Sequence, residues 1–164
     1  MGLDMSLILR TKVKSKSDNI DLIYSQQVKS LMLKAKDKSE NTSSANITDL
    51  IYWRKANQIR RWFADNLKDF EKDKNFGEYL VTKQDLEFLV DDINKVLKSE
   101  NKVETAQETM PTSSGFFFGS TDYDDDYFKT LETTLEQITD LLNTLDWENM
   151  EEKGEKIYYT EWWW

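Results

Sequence analysis

Arg54, Asn57 and Arg61 are three and four residues apart, a spacing that sets two guanidinium forks and a carboxamide along one side of a helix. Such a set suits a phosphate or carboxylate, which accepts several N–H bonds at once. The surroundings point the same way. Tyr52 to Phe63 hold four cations and four aromatics in twelve positions, and no acid occurs between Asp49 and Asp65 in a chain of formal net charge -9. Trp53 or Trp62 on the flank of that helix would stack on a base. The plainer reading is a solvated helix face whose arginines pair with some of the chain's 31 acids, and the frequency of surface ion pairs gives it somewhat more weight.

A second stretch, Pro111 to Tyr123, has three Phe bracketed by glycines and followed by helix-capping residues. Glycine lets a backbone approach a ligand closely, and the N–H groups of a helix start favour anions. Gly115, Phe117, Gly119, Ser120, Thr121 and Tyr123 therefore join Trp53, Arg54, Asn57 and Arg61 as candidate ligand-binding residues. The stretch fits neither phosphate-loop pattern with its fixed glycine spacing. Its plainer reading, a buried Phe strand before a capped helix, carries about twice the weight on motif grounds.

Asp122, Asp124, Asp125 and Asp126 suggest metal chemistry. A calcium loop starting at Asp122 needs Gly at its sixth position and Glu at its twelfth, where Tyr127 and Thr133 stand. No metal site is expected. The four acids suit the first turn of a helix, where they complement its dipole, or an acidic face for a basic partner.

Composition closes much of enzymology. There is no Cys and no His among the 164 residues, which removes disulfides, thiolate zinc sites, a cysteine nucleophile and the usual neutral-pH base. A carboxylate or tyrosine base stays open, so catalysis is not expected but is not forbidden. The apolar runs are too short for a membrane span or a signal peptide. Met1 to Ser6 fits the myristoylation pattern but reads better as the start of a strand. Charge is uneven: residues 1 to 75 hold 15 Lys and Arg against 10 Asp and Glu, net +5, and residues 76 to 164 hold 7 against 21, net -14.

Leu3, Met5, Leu7 and Leu9 alternate with more polar neighbours and predict a strand. Thr11 to Asp18 reads as an exposed extension or loop, Ile20 to Leu33 as helix or strand, and about 34–47 as a mobile loop. Thr48 or Asp49 would cap a helix running to about Phe70, with Tyr52, Ala56, Ile59 and Phe63 as its buried stripe. Phe76 to Val81 predicts a short strand, and Thr82 to Asp85 a capping box. The helix after it buries Leu86, Leu89, Val90, Ile93 and Leu97. Glu100 to Met110 reads as a connection. A third helix runs from about Asp124 to Asp146 with Tyr127, Leu131, Leu135, Ile138, Leu142 and Leu145 inward, capped by Ser120, Thr121 or Asp122. Lys156 to Trp164 predicts a last strand, whose three Trp either close the core or form an interface. The sum is one α+β domain over 1–164: three main helices on a small, mostly antiparallel sheet that also takes in a strand near Phe117.

The opening Met1 to Met5, the Tyr-Trp-Arg-Lys-Ala-Asn-x-Ile block with its Trp-Phe pair at Tyr52 to Phe63, Gly77-Glu78-Tyr79, and the Ser114 to Asp124 block resemble a family of small bacteriophage and prophage proteins. The resemblance spans most of the chain and implies a phage origin. Such proteins often carry His after the Ile of the block, where this chain has Arg60, so chemistry that needs that His is not expected here. The resulting expectation is a non-enzymatic phage protein in the host bacterial cytoplasm that neutralises a host component, in defence evasion. It would sequester a nucleotide-like small molecule, or bind a host protein through its acidic half, with no cofactor, no membrane, no direct nucleic-acid contact and self-association left open. The alternative is an Mg²⁺-dependent enzyme acting on nucleotides or nucleic acid through Asp122, Asp124 and Asp126.

Overall fold

The computed structural model describes residues 2–12 and 45–164. The alternation at the amino terminus forms β1, Leu3–Lys12, and β2 is Ala45–Arg54. Helix α1 follows at Asn57–Asn66, then β3 at Gly77–Val81 and α2 at Lys83–Leu97. Helices α3, Lys102–Thr109, and α4, Asp125–Thr144, precede β4, Glu155–Trp163. The four strands form one antiparallel sheet in the order β2-β1-β4-β3, so the last strand in sequence lies between the first and the third. The fold is α+β, with four helices among the described residues where three were expected.

One sheet face carries Leu3, Met5, Leu7, Ile51, Trp53, Tyr79, Val81, Ile157 and Tyr159, all buried. Helices pack on it: Phe63 of α1 stacks on Tyr159 with ring centroids 4.3 Å apart, and Thr134 of α4 accepts a hydrogen bond from the Trp53 indole at 2.9 Å. Local signals were decisive for α2. Thr82 and Asp85 form the capping box, side chain to backbone in both directions, and Leu86, Leu89 and Ile93 are buried. The last strand forms as expected, with Trp162 and Trp163 partly buried and Trp164 exposed.

Three expectations are corrected. The helix expected from Thr48 or Asp49 to Phe70 is a strand up to Arg54, a corner at Lys55 with φ of 56°, and a helix of ten residues. Alternation therefore governs Ile51 to Arg54: Ile51 and Trp53 point inward, while Tyr52, expected in the core, is 53% exposed. Phe116 to Phe118 form a turn and no strand, and Phe116 is 89% exposed. The expected connection from Glu100 to Met110 contains α3, whose Ala106 is buried and whose start is capped by Asn101. The expectations for Val13 to Leu33 lie outside the described residues, as does the loop expected over 34–47 except for 45–47, which belong to β2.

Candidate functional site

The first two stretches singled out in the sequence do meet. Asn57, buried at the first turn of α1, donates to the carbonyls of Phe118 at 3.0 Å and Ser120 at 2.7 Å, and its Oδ1 accepts from Ser113 N–H at 2.9 Å. Arg61 donates to the Thr112 carbonyl at 2.9 Å and pairs with Asp65 at 3.4 Å. Phe117 accepts through its carbonyl from Leu3 N–H at 3.1 Å. Gly119, with φ of 86°, passes so close that a Cβ there would meet the Lys55 Cβ at 3.1 Å. Thr112 ties the far end, donating from N–H to the Tyr123 hydroxyl and from Oγ1 to the Thr121 carbonyl. The loop from 112 to 123 is thus a strap held by α1.

This geometry redistributes the expected roles. Asn57 spends its amide donors on the strap, and exposed Arg61 gives one N–H to it and another to Asp65; neither lines the two cavities at Arg54. Trp53 is a core residue, 6% exposed. Gly115, Phe117, Thr121 and Tyr123 shape the strap through the contacts above, with the Phe118 ring folded so that a Cβ at Gly115 would meet it at 2.5 Å. Arg54, Gly119 and Ser120 remain at an open surface, and two adjoining cavities converge on Arg54.

The first cavity, about 350 Å³, lies between the end of β2 and one flank of α4. Tyr52, Trp53, Arg54 and Ala56 form one wall, and Asp126, Lys129, Thr130, Thr133, Thr134 and Gln137 form the other. Those α4 positions recur at three- and four-residue steps, hence their shared side. The second cavity, about 270 Å³, is bounded by Arg54, Lys55 and Gln58 on one side and by Gly119, Ser120, Asp122, Asp124, Asp126, Tyr127 and Thr130 on the other. Arg54, Asp126 and Thr130 line both.

Several side chains here are fixed before any ligand arrives. The Tyr52 hydroxyl donates to Asp4 Oδ1, the Trp164 indole donates to Asp4 Oδ2 at 3.0 Å, and Arg54 Nε lies 4.0 Å from the same carboxylate. Asp4 itself is buried on β1. The hydrogen bond to Asp4, followed by burial and the Asp4 charge, raises the Tyr52 hydroxyl above its ordinary value. Asp124 caps α4, accepting from Tyr127 N–H at 3.0 Å in place of the expected Ser120, Thr121 or Asp122. Asp122 accepts from Ser120 Oγ at 3.1 Å. Tyr127 donates to the Met110 carbonyl at 2.6 Å, and burial, then Tyr123, pushes its proton affinity well up.

Other groups are left open. Asp126 is exposed, and among the described residues its carboxylate has no hydrogen-bond or ion-pair partner. Lys55 and Lys129 make no ion pair there either. Gln58 is only 4% exposed, yet it reaches no nearer than 3.5 Å to a partner, the Tyr127 carbonyl, and its Oε1 takes no hydrogen bond among the described residues. Among the described residues the enclosed polar atoms lacking partners are Arg60 Nε and Thr109 Oγ1, and Gln58 Oε1 is not one of them. Gln58 lines the second cavity.

A larger hollow of about 700 Å³ near β3 and the start of α2 has Lys74 already paired with Glu71 at 2.8 Å. Among the described residues no group of three or more Asp or Glu is placed to hold a metal ion. Asp122, Asp124, Asp125 and Asp126 are all exposed beside the second cavity or at the start of α4. No helix of the described residues is long and apolar enough to cross a membrane. No family model, no curated protein and no solved structure matches the chain.

Sequence reasoning missed Tyr52, Lys55, Gln58, Lys129 and Thr130 as cavity residues. The Ile51 to Arg54 alternation was the available signal for Tyr52. Nothing local marks Gln58 or Lys129, which depend on how α4 crosses the end of β2.

Proposed function

We propose that this is a non-enzymatic binding protein that withdraws a nucleotide-like anion from solution in the cleft between β2 and α4. The carrying observation is the position of Arg54, half-exposed where two cavities join, opposite Lys129 and the exposed Thr133 hydroxyl. A guanidinium, an ammonium and a hydroxyl donor around about 350 Å³ suit a phosphate with a small organic group attached. Tyr52, whose hydroxyl is held by Asp4, closes one wall of that cavity. The resemblance of the sequence blocks to phage proteins makes the withdrawn molecule a host component, with defence evasion as the purpose in the host cytoplasm.

The test is calorimetric titration of nucleoside mono-, di- and triphosphates, with and without Mg²⁺, alongside product analysis. Saturable binding without turnover, weakened about tenfold or more in Arg54→Ala by loss of a charge-assisted contact, is expected. Binding unchanged by that substitution would exclude this cleft. Metal-dependent turnover would establish the enzyme reading in its place. Capture of a basic host protein is the second form of the proposal, supported by Asp125, Glu132, Glu136 and Asp140, which are exposed on one side of α4. In that form, charge reversal at Glu132 and Glu136 abolishes capture, whereas nucleotide binding in the cleft does not depend on them.

A further inference from the structure

The two cavities meeting at Arg54 differ in chemistry. The first has two cations, Arg54 and Lys129, against one acid, Asp126. The second has Arg54 and Lys55 against Asp122, Asp124 and Asp126, and adds Gln58, whose Oε1 has no partner among the described residues. A bare phosphate suits the first cavity and is repelled by the carboxylates of the second. A ligand filling both must carry an anion at one end and hydrogen-bond donors at the other.

Asp126 and Gln58 define what those donors look like. Asp122 and Asp124 already accept bonds from the strap and the start of α4, while the Asp126 carboxylate has no partner among the described residues. Gln58 is more than nine-tenths buried with its Oε1 unpaired among the described residues, so a donor arriving there satisfies a group already withdrawn from most solvent. A carboxylate recognises adjacent parallel N–H groups bidentately, and guanine presents such a pair, the ring N1–H and the 2-amino group. Adenine has one exocyclic amine and no ring N–H on that edge.

We propose that the cleft discriminates in favour of guanine nucleotides, the phosphate held by Arg54 and Lys129 in the first cavity and the base edge by Asp126 and Gln58 in the second. This rests on the anion-binding reading above and adds to it the identity of the base. Asp126 thereby acts as the specificity residue and Arg54 as the affinity residue.

Calorimetric competition among GMP, IMP and AMP on the full chain tests the assignment. IMP keeps the ring N1–H but lacks the 2-amino group. GMP should bind about tenfold or more tightly than AMP, with IMP between them. Asp126→Asn should bring the affinities for GMP and AMP to within about threefold of each other, and Arg54→Ala should weaken all three. Asp126 is exposed, so its variant is expected to fold, and unchanged circular dichroism would verify this. Equal affinity for GMP and AMP overturns the guanine assignment and leaves the anion-binding reading standing. Failure of all three nucleotides to bind removes the guanine assignment, and failure of the di- and triphosphates as well removes the anion-binding reading; Asp126-dependent binding of free arginine in preference to any nucleotide removes both.

Discussion

Arg60 is the cation of the basic block that solvent scarcely reaches. Its Nη2 donates to Glu161 Oε1 at 2.9 Å and to the Lys72 carbonyl at 2.7 Å, and its guanidinium lies 4.6 Å from the Phe118 ring, 5.4 Å from Trp163 and 5.7 Å from Phe70. Glu161 is fully buried and also accepts from the Tyr159 hydroxyl at 2.8 Å. Loss of water raises the Glu161 carboxyl above its ordinary value, despite the opposing effects of Arg60 and Tyr159. The folded chain therefore holds that proton more tightly than the unfolded chain does. Stability contributed by this group is greatest below the ordinary glutamate value of 4.5 and is lost as pH rises through the folded value. Glu161→Gln, which resembles the protonated form, should cost no more than about 1 kcal/mol at neutral pH, whereas Glu161→Ala strands a buried guanidinium and should cost roughly 3–5 kcal/mol. Urea unfolding from pH 7 to 4 should show the wild type gaining on the Gln variant as pH falls. A gap that moves the other way would mean that the ion pair outweighs desolvation.

At the scale of elements, legibility followed locality. The capping box of α2, the alternation of β1 and the stripe of α4 are each complete within a short window, so the sequence displays them directly. The stretch around Tyr52 carries two periods at once. Tyr52, Ala56, Ile59 and Phe63 fit a helix, while Ile51 and Trp53 against Tyr52 and Arg54 fit a strand. The choice was made by pairing to β1, with Met5 opposite Trp53 and Ser6 opposite Tyr52, a partner more than forty residues away. No Gly or Pro marks the corner, which Lys55 turns with positive φ. The joining of Asn57 to the Phe-rich strap was anticipated, but as a shared ligand face. Its observed role is to brace the strap with three hydrogen bonds. Asn57→Ala should destabilise the chain by about 2–3 kcal/mol, because it orphans groups withdrawn from solvent. Amide exchange should accelerate first at Ser113 and Leu3, whose N–H groups depend on the strap being seated. Exchange confined to global unfolding in the variant would show that the strap is held by other contacts.

Across the whole molecule, the charge asymmetry of the sequence becomes a confrontation across one cleft: Arg54 and Lys55 from the basic half face Asp122, Asp124 and Asp126 from the acidic half. The sheet makes that confrontation depend on the end of the described chain. β4 pairs with β1 from Leu3 to Thr11 and with β3 from Gly77 to Val81, and it delivers Ile157, Tyr159 and Glu161 to the core. Without it, β3 has no neighbour among the described strands, Phe63 loses the ring it stacks on and Arg60 loses its counter-charge. A sheet whose central pair joins its most distant strands gains little from partial assembly, because the longest loop must close before the core forms. A chain ending at Lys153 should therefore show no cooperative urea transition by Trp fluorescence or far-ultraviolet circular dichroism. The full chain should unfold in one step with the two probes coinciding. A truncated chain that kept a cooperative transition would show that β1, β2 and the helices hold a core of their own. The Arg54 cleft could then form without β4, and the dependence of binding on β4 would vanish with it.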